Sequence, residues 1–295
     1  MQPQRDENIE PQLPQSWQSL GSHPREPWGH PGDAEIFVHT SLDRMTGRGL
    51  SQRARPKMME AYQLAKCKLN FAAAADVIEN CWSLAIEDRI IDKMEGISVE
   101  PIIVFPHPSF DDDDAEGWDV PRRGPTNALP FQLANYLARR IGAAANDSIV
   151  QAARVGRTKL SAECRFIWQP SFVGDVIEKQ PYILIDDVAT TGGTLAALRS
   201  HIVRGGGTVI ACTALAHKTA VNQKFAIADY TLSVVQRAYG LDIDAFWRET
   251  IGHDIQCITE AEAGILLRWQ QGCGKRPGPS ALLDLRDRLV EAASS

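Results

Sequence analysis

Four short apolar runs, spaced by stretches of helical period, constrain this chain more than any other feature. PIIVF (Pro101–Phe105), SIVQAA (Ser148–Ala153), YILID (Tyr182–Asp186) and TVIACTAL (Thr208–Leu215) have the length and continuous apolarity of strands buried on both faces. Between the first two, Leu129, Leu133, Leu137 and Ile141 lie four apart on one helical face, with Pro130 in the first turn and Asn127 as a cap. Residues 194–204 read as a second helix, closed by Gly205, Gly206 and Gly207. Strands alternating with helices predict an α/β fold, a parallel sheet flanked by helices. Ligands of such sheets bind beyond the carboxyl ends of the strands, so function is sought in the loops after Phe105, Ala153 and Asp186.

The flanks read differently. Residues 1–34 are rich in Pro, Gln, Ser and Gly, a composition that buries too little surface to offset its ordering entropy, and a flexible tail dispensable for folding is expected. Residues 35–100 read as a helical N-terminal extension: after Pro56 no Pro or Gly interrupts the chain until Gly96. The spaced apolar residues Tyr62, Ala65, Leu69, Val77, Cys81, Leu84 and Ile91 predict one long helix or two short ones. Residues 101–218 form the predicted α/β domain. Residues 219–295 read as a mixed C-terminal extension, with strands at Tyr230–Val235 and Asp254–Ile258 and helices at Ile243–Ile251, Glu260–Trp269 and Ser280–Ala293.

Composition narrows the function classes. A net charge of −6 over 295 residues offers no electrostatic footprint for nucleic acid, so no nucleic-acid partner is implied. The six cysteines show no C-x-x-C pairing, which argues against a zinc site or a disulfide framework and for a reducing, cytoplasmic setting. The opening MQPQRDENIEPQLPQSW has no apolar core of a signal peptide, and no apolar run is long enough to span a bilayer, so no membrane partner is expected.

The chemistry concentrates after the third strand. Asp186 and Asp187 end the apolar run, and Ala189, Thr190, Thr191, Gly192, Gly193 and Thr194 lead into a helix. Glycines let the backbone approach a ligand, threonine hydroxyls add short donors, and a helix N-terminus adds partial positive charge, a set suited to a phosphate dianion. The spacing is neither that of G-x-x-x-x-G-K-[ST] nor that of G-x-G-x-x-G. The two acids suit vicinal sugar hydroxyls or a magnesium ion approached through water.

ILIDDVATTGGT resembles the phosphoribosyl-diphosphate (PRPP) binding motif of the type I phosphoribosyltransferases, and the strand–helix order over 101–218 is similar to theirs. The resemblance implies a Mg2+-dependent transfer of phosphoribosyl between PRPP and a nitrogenous base, or the reverse. It implies that Asp186 and Asp187 hold the ribose as the catalytic pair, while Ala189–Thr194 wrap the 5'-phosphate. It further implies that the turn containing Phe105 and His107 binds diphosphate, a task for which Arg123, Arg157 and Lys159, with Arg122 and Arg154, are cationic candidates. Residues 157–165 lie where that family has a mobile covering loop.

The spacing of FPHPS (Phe105–Ser109), RRGPTNALPFQLANYLA (Arg122–Ala138) and RVGRTKLSAECRFIWQPSF (Arg154–Phe172) is most similar to the competence protein ComF branch. A homodimer is compatible with this resemblance. The alternatives are a non-catalytic PRPP or nucleotide sensor contacting a partner through 219–295, and a ComF-like DNA-processing accessory. The Asp111–Asp114 run reads as a solvated loop. The rings of His107, His217 and His253 read as structural, and Trp168, Phe172, Tyr239, Phe246 and Trp247 as core packing.

Overall fold

The computed structural model describes residues 25–108, 126–152 and 161–293. In chain order, β1 (Glu35–Ser41) and a one-turn helix at Leu42–Met45 precede three longer helices, α1 (Arg55–Cys67), α2 (Phe71–Cys81) and α3 (Leu84–Asp92). There follow β2 (Ile102–Val104), α4 (Leu129–Ile141), β3 (Ala144–Asn146), β4 (Val150–Gln151), α5 (Ala162–Ile167), β5 (Phe172–Val173), β6 (Pro181–Val188), α6 (Gly193–Arg204), β7 (Thr208–His217) and β8 (Gln223–Lys224). Four helices close the chain: α7 (Asp229–Tyr239), α8 (Ile243–Ile251), α9 (Glu260–Gly272) and α10 (Pro279–Ala293).

The main sheet runs β3-β2-β6-β7-β1-β8. Every pairing in it is parallel except the edge contact of β8 with β1. Parallel strands need crossovers, and helices on both faces supply them. One face packs Phe37, Ile103, Ile183 and Ile185 against Val77 and Ile78 of α2 and Leu129, Leu133 and Leu137 of α4. The other packs Ile36, Val104, Tyr182 and Leu184 against Leu195, Leu198 and Ile202 of α6. Alternate residues of each central strand thus enter opposite cores, which is why these strands read as continuous apolar runs. The result is the α/β architecture expected, a mostly parallel sheet flanked by helices.

Several local expectations are corrected. The sheet includes β1, within the segment read as a helical extension; EIFVHTS is flanked by polar residues, and only its middle betrays a buried strand. Residues after Arg55 form three helices rather than one or two, with breaks at Lys68 and at Trp82 and Ser83. Among the described residues of the run begun at Ser148, residues 148–152, only Val150–Gln151 is a strand, and it pairs antiparallel with β5 outside the main sheet, whose edge is instead β3. Tyr230–Val235 is helical, since Val235, Ala238 and Tyr239 are buried at helical spacing and that burial outweighs the strand preference of its β-branched residues. Asp254–Ile258 contains a 3-10 turn, Ile255–Cys257, not a strand. Beyond β8 the C-terminal extension is therefore helical, with its own core of Tyr239, Ile243, Trp247, Leu266, Leu285 and Leu289, to which Phe166 of α5 also belongs.

The described end of the supposed tail, residues 25–34, is bound in place. Arg199 of α6, fully buried, is bidentate to Asp33 at 2.8 Å through both nitrogens and donates to the carbonyls of Glu26 and Pro27 at 2.7 Å each. Its guanidinium lies 5.0 Å from the Trp28 ring centre. Arg25 pairs with Glu262 of α9 at 2.5 and 2.9 Å, with both side chains almost wholly buried. Composition forecasts poor burial here, but one Trp and two buried ion pairs anchor the segment.

Candidate functional site

Asp186 and Asp187 lie in the last three residues of β6, which is flanked by β2 and β7, so they sit at the carboxyl edge of the sheet. The Asp187 amide donates to Asp186 Oδ1 at 2.8 Å. Two donors converge on Asp187 Oδ2: the Lys66 ammonium in a short ion pair, and Asn127 Nδ2 at 2.8 Å. Lys66 comes from the last turn of α1. Asn127 also accepts from the Leu129 amide at 3.1 Å, so the residue expected only as a helix cap orients the acid as well.

The acids differ electrostatically. For Asp187 burial works against the charge, but Lys66 and the hydrogen bonds from Lys66 and Asn127 more than offset it and hold the carboxyl below its ordinary range. Burial, then the charge of Asp187, pushes the half-buried Asp186 well above that range. For Lys66, burial is outweighed by Asp187 and its pKa rises, so it stays charged at neutral pH. The pair is one fixed anion beside one carboxyl that readily keeps a proton.

The loop after the acids turns at Gly192 into the start of α6. The Ala189 amide continues the sheet by donating to the Ala216 carbonyl at 3.0 Å, so it is committed to structure. Gly192 adopts φ 76°, and a Cβ there would stand 3.1 Å from Ile36 Cδ1 and 3.3 Å from the Phe225 ring. Only glycine takes that left-handed conformation at no steric cost. Gly192, the N-cap of α6, makes no side-chain cap bond, and the Gly193 amide donates to Thr191 Oγ1 at 3.4 Å. A helix start behind a glycine turn favours an anion.

Two further elements hold this loop. Arg165 of α5 donates to Thr190 Oγ1 at 3.2 Å, and the Thr259 hydroxyl, N-cap of α9, donates to the Thr191 carbonyl at 2.6 Å. Thr259 and Glu262 form a capping box, and Glu262 is the partner of Arg25. Arg25 in turn donates to Gln169 at 3.1 Å, and Gln169 contacts His253 at 3.2 Å. A continuous polar chain thus ties the loop after Asp187 to the C-terminal helices.

Asp186, Asp187 and Ala189–Thr194 are brought together at one strand end, and Phe105 and His107 follow the neighbouring β2. Phe105 is buried, stacks on His107 with ring centres 4.8 Å apart, and meets Phe131 edge-on. His107 is buried as well and its carbonyl accepts from Gln151 at 2.8 Å, so both side chains are engaged in packing. Arg122, Arg123, Arg154, Arg157, Lys159 and Asp111–Asp114 lie outside the described residues. Arg165 ends the segment 157–165 read as a covering loop, whereas Lys66 and Thr259 escape sequence reasoning as site residues, because each reaches the site from a remote element and neither carries a local motif.

No protein-family model matches the chain. It is 37% identical over 167 residues to Protein TraN of Escherichia coli, covering 56% of this chain and 35% of that protein. It is 36% identical over 176 residues to an uncharacterized protein of Haemophilus influenzae, covering 58% of this chain and 33% of that one. The chain thus spans about a third of the length of these relatives. Among solved structures, adenine phosphoribosyltransferase from Thermoanaerobacter pseudethanolicus is similar at 18% identity and a TM-score of 0.26, covering 46% of this chain and 70% of that one. The enzyme of the same name from Leishmania donovani gives 15% and 0.28 over 49% and 56%. Leishmania donovani UMP synthase gives 11% and 0.25 over 83% and 48%. At such TM-scores these likenesses carry no argument, and the architecture stands on the sheet order and register. Among the described residues no helix is long and apolar enough to cross a membrane.

Proposed function

We propose that the loop Asp186–Thr194 binds PRPP or a related ribose 5-phosphate, and that the chain transfers phosphoribosyl between PRPP and a nitrogenous base. One observation carries this: two adjacent acids, one of them held by Lys66 and Asn127, lie at the carboxyl end of a central strand, and the next residues form a glycine turn at a helix start. A sugar phosphate needs these two features side by side, acceptors for vicinal hydroxyls and a nest for the phosphate. The ComF-like spacing points to that branch among type I phosphoribosyltransferases, although much of it lies outside the described residues.

Asp187, held anionic, accepts a ribose hydroxyl and partly balances the cationic sugar as the diphosphate departs. Asp186, with its raised pKa, is suited to exchange a proton with the incoming nitrogen. Among the described residues no group of three or more His, Cys, Asp or Glu could hold a metal ion. The acid pair would face a magnesium ion carried in on the diphosphate. When bound with PRPP, magnesium supplies charge neutralisation at the leaving group.

Calorimetry with PRPP and Mg2+ tests the site: saturable binding is expected, and Thr191→Val with Thr194→Val should abolish it. Diphosphate release should then be measured across purine, pyrimidine, orotate and nicotinate acceptors, with Asp187→Asn lowering turnover about a hundredfold, the scale of one well-placed electrostatic group. The Thr191–Thr259 hydrogen bond favours a second reading, a non-catalytic sensor that transmits loop occupancy to the C-terminal helices. Tight PRPP binding with no diphosphate released for any base would favour the sensor. Unchanged binding in the double threonine variant would defeat both.

A further inference from the structure

Lys66 does not reach Asp187 as a loosely placed surface cation. Ala65, just before it, is fully buried, and its carbonyl accepts from the Ala128 amide at 2.9 Å. The Leu69 amide, just beyond the end of α1, donates to the Thr126 carbonyl at 2.8 Å. These two main-chain bonds clasp the end of α1 to the start of α4, with Lys66 on one side of the clasp and Asn127 on the other. Both side chains then donate to the same oxygen, Asp187 Oδ2. The Asp187 carboxylate is thereby fixed in orientation beside Asp186 and the loop that follows.

We propose that Lys66 is the positioning residue of the acid pair: held by the clasp, its ammonium pins Asp187 by Oδ2 and offsets part of its charge, so that the carboxylate is held in place for a sugar hydroxyl while a phosphorylated ligand meets less repulsion from the two adjacent acids. This rests on the sugar-phosphate assignment of the loop. Two unscreened acids beside a phosphate site would oppose a polyanion, and a buried ammonium at one of them removes part of that opposition. The titratable groups around Asp187 are Lys66, Asp186 and Tyr62, one turn earlier on α1, whose phenol burial pushes upward so that it stays neutral. The separation of the two acids' pKa values agrees with this division of roles.

The test is Lys66→Met, which keeps the buried stem and removes the charge, alongside Lys66→Arg, which keeps the charge. Thermal unfolding and circular dichroism first establish that each variant folds; if Lys66→Met does not, Lys66→Gln replaces it. By calorimetry, affinity for PRPP and for ribose 5-phosphate should fall about tenfold or more in the neutral variant, the scale of one charge-assisted contact, and recover in part in Lys66→Arg. In ligand-free protein, carbonyl-13C titration should show Asp187 below the ordinary carboxylate range in wild type and shifted up by about one unit or more in Lys66→Met. A folded Lys66→Met with unchanged affinity and titration overturns the proposal. Wild-type protein that binds neither ligand defeats the sugar-phosphate assignment instead, and the ligand role of Lys66 with it, even where the titration shifts as expected.

Discussion

Replacing Arg25 by Ala leaves Glu262 as a buried charge with no cation, and the consequence can be worked from the geometry. The pair is bidentate at 2.5 and 2.9 Å with side chains only 2% and 4% exposed, so solvent cannot take over the role of the guanidinium. Breaking a buried pair from one side costs about 3–5 kcal/mol. An unfolding entropy of about 2.1 cal/mol/K per residue gives about 0.6 kcal/mol/K for this length, so Tm should fall by about 5–8 °C. The pH dependence carries a sign. With Arg25 present, Glu262 has a folded pKa below its ordinary 4.5, so its contribution is complete above that pH and is lost as pH falls through the folded value. Without Arg25 burial raises the carboxyl. His253, held at about 4 by burial and by Arg25, then becomes the nearest group able to charge. The gap between wild type and variant should therefore be widest above about pH 7 and narrow in acid. Urea denaturation at pH 7.5 and pH 5 measures both. A loss under about 1 kcal/mol at pH 7.5, or one that grows in acid, would refute the reasoning. Removing residues 1–34 deletes Arg25 and Asp33 together and should cost at least as much.

Gly192→Ala places a side chain at φ 76° and against Ile36, so it should cost about 1–2 kcal/mol in urea denaturation and weaken phosphate-ligand binding in calorimetry. Thr259→Val removes both the cap of α9 and the donor to the Thr191 carbonyl; a loss of about 1–2 kcal/mol is expected, with faster hydrogen exchange at Gly193 and Thr194 as the readout that a purely local helix cap would not produce.

The contiguous half of the candidate site was legible from sequence because its chemistry is local: strand, acids, glycine turn and helix start follow one another within a dozen residues. The sheet core was legible for the same reason, since YILID and TVIACTAL are long, continuous and apolar. What reaches the site from a distance was not. Lys66 sits among ordinary helix formers, Thr259 is a routine cap, and only tertiary packing brings either to the loop. β1 was missed because its apolar centre, Ile36–Val38, is short and flanked by Glu35, His39 and Thr40, and α7 was misread because Thr231, Val234 and Val235 favour strands where burial enforces a helix. The tail was misjudged for want of a way to see that Arg25 and Asp33 would find buried partners 237 and 166 residues away.

The place of β1 inside the sheet, between β7 and β8, also sets a timetable for the nascent chain. Ser41 leaves the ribosome 167 residues before Thr208, the first residue of the strand that will pair with it. At roughly 5–20 residues per second, β1 waits on the order of ten to thirty seconds with Ile36, Phe37 and Val38 unsheltered. During that interval β2 and β6 can already pair, while the flank of β7 meant for β1 emerges last and open. Until β1 returns to it, that flank is a strand edge able to accept any extended segment, including β1 of another copy. Protein made faster than this return should therefore accumulate as strand-exchanged or aggregated chains, and slower translation or a holding chaperone should raise the soluble yield without altering the stability of the molecules that finish.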